Sequence, residues 1–174
     1  MNYKPIIIVA GEPNSIFFEI FFKALKTEKF KSPIILIASM DILKLQMKKL
    51  RFKRKIKLLT LPELKKTKLN NKSINLISIK YNQNRPFKKL SSKSNTYINK
   101  SFDLALKIIK KKITNKFING PISKKFFLKN KFLGITEYLA HKTKTKKYAM
   151  LIYNKNLSVS PITTHLPLKH VSKS

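Results

Sequence analysis

The residue with the greatest potential for chemistry in this sequence is His165, within the stretch Thr163-Thr164-His165-Leu166-Pro167-Leu168. Residues 157–162 have the pattern of a β-strand, and Pro167 would end any strand pairing soon afterwards. We therefore expect His165 at the C-terminal end of a strand, the edge where open α/β sheets bind their ligands. A neutral imidazole there can ligate a divalent metal or act as a general base. The alternative is a histidine that is hydrogen-bonded within a loop.

The three glycines of the chain are the second group of candidate site residues. Gly11, Gly120 and Gly134 each lie between a predicted strand or loop and a following helix. Glycine is favoured at such places where the backbone needs a positive φ or a close approach to another segment. Turns of this kind also present N–H groups at helix N-termini, where an anion can bind. The alternative is that all three are ordinary tight turns.

Strands and helices alternate along the chain, and this alternation predicts how the candidate residues are positioned. Apolar runs rich in β-branched residues predict strands at 3–10, 33–38, 56–61, 74–79 and 116–119. Apolar residues at helical spacing predict helices at 15–26, 39–50, 96–112, 123–130 and from 134 onward. Asn14, Ser39 and Ser123 are the expected N-caps. This order is typical of an α/β fold with right-handed crossovers.

Three further patterns complete the prediction. Helix 15–26 is amphipathic, with one apolar stripe beside another: Ile16, Ile20 and Ala24, then Phe17, Phe21 and Leu25. The segment 81–95 has no apolar period and contains Pro86, which predicts a loop. Residues 148–153 and 157–162 predict a hairpin-like pair of strands.

The composition excludes several classes of protein. A chain of 174 residues can bury a sizeable core, and the absence of cysteine excludes disulfides, thiolate nucleophiles and Cys-ligated zinc. No segment has the apolar length of a membrane span. The short apolar run 6–10 passes directly into Gly11-Glu12-Pro13, which is unlike a signal peptide. We therefore expect a cytoplasmic protein without a membrane partner.

The formal net charge of +32 suggests nucleic-acid binding, but the kind of basic residue argues against it. Only three of the 39 Lys and Arg residues are arginines, and bidentate recognition of bases and phosphates favours arginine. The lysines are spread along the chain, as an AT-rich coding background would produce. The one dense cluster, in 48–55, is interpreted as a solvated helix end and loop. We expect no specific nucleic-acid partner, and nonspecific polyanion binding stays an alternative.

Four stretches together resemble the PdxA family, the NAD-dependent 4-hydroxythreonine-4-phosphate dehydrogenases of vitamin B6 synthesis. They are the opening Ile7-Ile8-Val9-Ala10-Gly11-Glu12-Pro13, the central Asn119-Gly120-Pro121-Ile122-Ser123-Lys124, then Phe132-Leu133-Gly134-Ile135-Thr136-Glu137-Tyr138-Leu139, and finally Thr163-Thr164-His165-Leu166-Pro167-Leu168. Each motif is modest alone, but four of them in this order are specific.

The resemblance implies an oxidation of 4-phosphooxy-L-threonine by NAD or NADP, followed by decarboxylation of the product. It implies a divalent metal (zinc, magnesium or cobalt) that stabilises negative charge on substrate oxygens. His165 falls on one of the family's three metal-binding histidines, and Thr136 on a residue that contacts the substrate. The family forms homodimers, with an active site between two domains that is completed across the dimer interface.

Two departures from the family pattern shape our expectations. Ile135 occupies a substrate-binding position where the family has a histidine, and its side chain can form no hydrogen bond. The family's other two metal histidines lie downstream of Ser174, and neither His141 nor His170 matches a ligand position. A catalytic metal site takes about three protein ligands. We therefore expect residues 1–174 to be inactive alone, and a noncatalytic relic or binding module of the same fold is the alternative.

The resemblance also predicts the fold class and the domains. The fold is expected to be α/β, an isocitrate/isopropylmalate dehydrogenase-like doubly wound sheet that is truncated and incomplete. Residues 1–131 would form the first α/β domain without its C-terminal completion, and 132–174 would begin the second domain. Such a chain leaves a sheet edge and apolar helix faces uncovered.

Overall fold

The computed structural model describes residues 3–129, 131–163 and 167–173. The chain divides into two compact units, 1–129 and 130–174. The domain boundary predicted after residue 131 lies close to this division, and the assignment of the units as domains stays a proposal.

A five-stranded sheet forms the centre of the first unit. All four strand pairings are parallel, and the order is β3-β4-β2-β1-β5. The strands are β1 (Ile6–Val9), β2 (Ile34–Ala38), β3 (Ile56–Leu58), β4 (Ile74–Ser78) and β5 (Lys116–Asn119). Every residue of β2 is buried, because a central strand of a parallel sheet is covered on both faces.

Three helices connect these strands and cover both faces of the sheet: α1 (Phe17–Thr27), α2 (Met40–Lys49) and α3 (Asn95–Lys110). Side chains of α1 and α2 share one core with Ile8, Leu36 and Leu76. Successive strand residues point to opposite faces, and α3 packs on β1 and β2, so Ile7 and Ile35 face the α3 side. Helices on both faces of a parallel sheet confirm the predicted doubly wound α/β class.

The buried face of α1 is aromatic. Phe17, Phe18, Phe21, Phe22 and Leu25 are buried, and the Phe22 ring stacks on Phe52 with centroids 4.3 Å apart. Ile16 and Ile20, on the other predicted stripe, are 62% and 55% exposed. The phenylalanine face takes the interior position because its larger apolar area gains more from burial.

Shorter elements link the helices and strands. Single 3-10 turns occur at Glu63–Lys65 and Ser92–Ser94, and a π-helical turn at Lys124–Leu128. Ser39 and Ser123 cap their helices as predicted, because their hydroxyls accept hydrogen bonds from the backbone of Ile42 and Phe126. Within the described ranges, no helix combines the length and the apolar character needed to cross a membrane.

The second unit contains α4 (Ile135–Thr143) and a 3-10 turn at Leu168–Lys173. The predicted hairpin-like pairing of 148–153 with 157–162 is confirmed at one isolated antiparallel bridge, between Ile152 and Val159, but neither segment forms a strand. Most of their apolar side chains are exposed, with Tyr153 at 75%. An isolated two-stranded hairpin is marginal in water, so the exposure of these side chains accounts for the limited pairing.

β5 forms one edge of the sheet, since β1 is its sole strand partner among the described residues. Ile118 in β5 is 51% exposed, although it is in register with the buried Ile8 of β1. This edge fits the expectation of an uncovered sheet edge.

Candidate functional site at the carboxyl edge of the sheet

The loops that follow β1 and β5 meet at the carboxyl edge of the sheet. The Gly120 N–H donates to the Val9 carbonyl oxygen at 2.7 Å, and the Glu12 N–H donates to the Pro121 carbonyl oxygen at 2.8 Å. Gly11 has φ +73°, in the left-handed region that favours glycine. A Cβ at Gly11 would overlap the Pro121 carbonyl oxygen, and one at Gly120 would overlap the Ala10 carbonyl oxygen. The predicted close approach is therefore confirmed for Gly11 and Gly120.

Gly134 differs from the other two glycines. Its φ of −160° is extended backbone that any residue adopts, and a Cβ there would meet only a Glu137 carboxylate oxygen, at 3.1 Å. The prediction that this position needs glycine for positive φ or close approach is wrong. Gly134 is instead the N-cap of α4.

Three N–H groups of the turn after β1 are already hydrogen-bonded within the protein. The N–H of Glu12 donates to Pro121, that of Ser15 to the Glu12 carbonyl, and that of Phe17 to the Ser15 hydroxyl. Because the two loops lie so close, the Glu12 N–H group bonds to the loop after β5 and is not available to a phosphate group. Glu12, Ser15 and Phe17 therefore have no N–H group available for the pyrophosphate of a nicotinamide dinucleotide.

Asn14 connects this turn to a distant loop. Its Oδ1 accepts hydrogen bonds from Gln83 Nε2 and from the Lys88 N–H, both at 2.9 Å. The prediction of Asn14 as the N-cap of α1 is therefore wrong, and the observed N-cap, Ile16, forms no side-chain capping bond. The amide oxygen fixes the predicted loop 81–95 against the carboxyl edge instead.

Glu12 is the most unusual charged residue in this part of the molecule. Its side chain is 3% exposed, and its Oε2 lies 3.0 Å from Ser94 Oγ. Its Oε1 is buried and has no hydrogen-bond partner among the described residues. Burial raises the pKa of Glu12, and hydrogen bonds from Ser94 and the Asn14 backbone only partly offset this effect.

The geometry around Ser94 is also compatible with a neutral carboxyl. Ser94 Oγ also lies 3.0 Å from the Ser91 carbonyl oxygen. A hydroxyl carries one proton and can donate to only one of these two oxygens at a time. When Ser94 donates to Ser91, a protonated Glu12 completes the second bond as the donor. The buried pair then satisfies both contacts without a charge.

Two tyrosines and a serine extend this buried polar cluster. The Ser39 N–H donates to the Tyr97 hydroxyl at 3.2 Å, and the Ser39 hydroxyl donates to the Tyr81 carbonyl oxygen at 3.0 Å. Burial raises the pKa of both phenols. Sequence reasoning missed this cluster. An acid directly after a buried strand, in a chain with seven Asp and Glu, is the signal that could have found Glu12.

We predict that Glu12→Gln makes the protein more resistant to unfolding as the pH rises. The folded pKa of Glu12 is above its ordinary value of 4.5, so the stability that the neutral carboxyl supports is fully present below 4.5. This stability is lost as the pH rises through the folded pKa, and the amide does not ionise. The free energy of unfolding of the variant should therefore rise relative to wild type from pH 4.5 toward neutrality in urea titrations.

Glu63→Gln is the matched control, with the opposite sign. Glu63 accepts hydrogen bonds from the Thr60 N–H and hydroxyl, both at 2.7 Å, and these lower its pKa. The stability that the ionised Glu63 carboxylate contributes is present above its ordinary pKa of 4.5 and is lost as the pH falls. The free energy of unfolding of Glu63→Gln should therefore fall relative to wild type as the pH rises toward neutrality. Parallel pH curves for Glu12→Gln and wild type would contradict the buried neutral carboxyl.

The residues predicted from the family motifs lie mainly in the second unit. Ile135 and Thr136 are the first two residues of α4, and both are partly buried. His165 lies outside the described residues. The His141 ring packs 5.2 Å from the Phe132 ring, and His170 is exposed.

The described residues do not make a metal centre. No group of three or more His, Cys, Asp or Glu residues in the ranges 3–129, 131–163 and 167–173 could hold a metal ion. The donor set on which a divalent metal would depend is thus not assembled by these residues.

The architecture is that of the α/β dehydrogenases of the isocitrate/isopropylmalate type. The crystal structure of a 4-hydroxythreonine-4-phosphate dehydrogenase from Klebsiella pneumoniae matches it with a TM-score of 0.81 at 23% identity, over 96% of this chain and 53% of that chain. A structure from Burkholderia phymatum has the same TM-score at 21% identity, over 95% and 52% of the two chains.

Sequence comparison then places the chain in a family. The family model of the pyridoxal phosphate biosynthetic protein PdxA matches residues 29–174, so this chain belongs to the PdxA family. The 4-hydroxythreonine-4-phosphate dehydrogenase of Wigglesworthia glossinidia brevipalpis is 26% identical over 170 residues, which are 97% of this chain and 51% of that protein. A Sulfurihydrogenibium relative of the same name is 42% identical over 69 residues, 38% of this chain and 21% of the relative. The chain spans about half the length of the Wigglesworthia protein and of the two proteins of known structure.

Proposed function

We propose that this chain is the N-terminal part of a dehydrogenase that oxidises 4-phosphooxy-L-threonine in pyridoxal 5'-phosphate synthesis. In this reaction a hydride passes from the secondary alcohol carbon to NAD+ or NADP+, the hydroxyl loses its proton, and the resulting β-keto acid releases CO2. The observation that carries the proposal is membership of the PdxA family over residues 29–174. Alignment with the Wigglesworthia enzyme over 97% of the chain supports it.

Two positions at the start of α4 are proposed to contact the substrate. Thr136 carries a hydroxyl that can donate or accept one hydrogen bond, and Ile135 precedes it at the position where the family has histidine. Both are in the first turn of α4, where helix N–H groups have no carbonyl partner within the helix and can bind an anionic ligand, although Glu137 in the same turn opposes negative charge. A phosphorylated amino acid is such a ligand.

His165 is proposed as a ligand of a divalent metal, which could be zinc, magnesium or cobalt. The remaining ligands would come from beyond residues 1–174, as would contacts that decide between NAD and NADP. We further propose a cytoplasmic homodimer for the longer protein, without a specific nucleic-acid or membrane partner. These proposals rest on the family resemblance.

The deciding experiment compares two forms of the protein. The product as its source organism makes it, with residues 1–174 and whatever follows them, should reduce NAD+ or NADP+ when given 4-phosphooxy-L-threonine and a divalent metal. It should also release CO2. Residues 1–174 alone should show no reduction above the rate without enzyme, because they lack two of the three expected metal histidines.

Each outcome has a distinct meaning. Turnover by residues 1–174 alone would contradict the dependence on a further segment. An inactive longer product would contradict the enzyme proposal and favour a noncatalytic relic or binding module, the second candidate. Ile135 is the observation that favours this second candidate, because a hydrocarbon side chain cannot bind a polar substrate group.

A further inference from the structure

A lysine-lined pocket lies at the amino edge of the sheet, opposite the carboxyl edge where Glu12 and Gly120 lie. Its volume is about 700 Å³, within the range of ligand pockets. It is formed where the chain enters β1 and β2, by residues 64–69 in and after the Glu63–Lys65 turn, and by residues 111–113 after α3. Six lysines line it: Lys4, Lys65, Lys66, Lys68, Lys111 and Lys112.

The walls of this amino-edge pocket are connected by hydrogen bonds. The Thr114 hydroxyl, which is buried, donates to the Pro5 carbonyl oxygen at 2.6 Å and so joins the end of α3 to the start of β1. The Ile6 N–H donates to the Pro33 carbonyl oxygen at 2.8 Å. The N–H groups of Lys66 and Thr67 both donate to the Glu63 carbonyl, which fixes the third wall. The lysines therefore extend from a backbone that is held in place.

The charge in the amino-edge pocket is unbalanced. None of its lining residues is acidic. The nearest acid in the sequence, Glu63, bonds through its carboxylate to Thr60. All six lysines are exposed residues that surround one concave surface, and positive charges around a concave surface raise the local concentration of anions. Lys146 and Lys147 of the second unit are exposed and do not line this pocket.

We propose that the amino-edge pocket binds a small oligophosphate anion, such as a diphosphate or triphosphate group. Several adjacent phosphate oxygens can accept hydrogen bonds from lysines of different segments at once, which a singly charged anion cannot do. The pocket lacks arginine, and its only aromatic lining residue is Tyr3, so recognition is directed at the phosphates and not at a stacked base. This site is separate from the proposed dehydrogenase function.

Titration calorimetry of residues 1–174 with inorganic tripolyphosphate tests this proposal at about physiological salt. We expect a one-to-one complex with a Kd below about 1 mM. The double variant Lys66→Gln/Lys111→Gln should weaken binding about tenfold, because it removes charge-assisted bonds from two walls. The control Lys146→Gln/Lys147→Gln removes the same charge from exposed lysines of the second unit and should change Kd less than about twofold.

Three results would overturn the proposal. One is a Kd weaker than about 1 mM for the wild-type chain. Another is an equal loss of affinity in the pocket and control variants, since binding would then follow net charge alone. The third is a stoichiometry of several tripolyphosphates per chain that the pocket variant leaves unchanged. The last two results would instead support nonspecific binding of polyanions, including nucleic acid.

Discussion

Gly120→Ala should lower the free energy of unfolding by about 3 kcal/mol or more. The added Cβ would overlap the Ala10 carbonyl oxygen and lie 2.8 Å from Cδ2 of the buried Phe17 ring. The β5 loop would have to move away from β1, and the 2.7 Å bond from the Gly120 N–H to Val9 would lengthen. Urea unfolding of the wild-type and variant chains measures the difference.

Gly11→Ala and Gly134→Ala show whether the effect of Gly120→Ala comes from the close approach of the two loops. Gly11→Ala should also destabilise strongly, since left-handed backbone costs a non-glycine residue about 1–2 kcal/mol and its Cβ would overlap the Pro121 carbonyl oxygen. Gly134→Ala should cost about 1 kcal/mol or less, the usual effect of alanine at an N-cap. Equal costs at Gly120 and Gly134 would show that the close approach of the two loops is unimportant.

Ile135→His should raise kcat/KM of the longer protein about 10- to 100-fold, if the proposed function is correct. A histidine at the first position of α4 would supply a hydrogen bond to a charged substrate, which isoleucine cannot form. The side chain is partly buried, so an imidazole can be accommodated with contact to solvent. The measurement is NAD(P)-dependent oxidation of 4-phosphooxy-L-threonine.

Ile135→Leu is the control, because it keeps the apolar character and the size of the side chain. It should leave kcat/KM within about threefold of wild type, since no polar group is gained. An unchanged rate for Ile135→His would mean that another residue of this protein contacts that part of the substrate. A similar gain from leucine would attribute the effect to packing at the start of α4 and not to a hydrogen bond.

The amino acid sequence by itself determined the order of strands and helices in the first unit. The five-residue strand Ile34–Ala38 and the strand Lys116–Asn119 are found within a residue of the predicted bounds. Ser39 and Ser123 cap their helices as expected. These features depend on side chains that are a few positions apart, so the local sequence pattern is sufficient to predict them. The family motifs are local too, and family membership confirmed the resemblance that they gave.

Only the tertiary structure decided which groups lose contact with water. Glu12 and Ser94 are 82 positions apart, and Asn14 and Lys88 are 74 apart, so no local pattern reports these bonds. The tertiary structure likewise decided which of the two apolar stripes of α1, isoleucine or phenylalanine, is buried. The same is true of residues 148–162, which had a strand pattern but form a single antiparallel bridge. Burial, and with it the raised pKa of Glu12, depends on what the rest of the chain places around a residue.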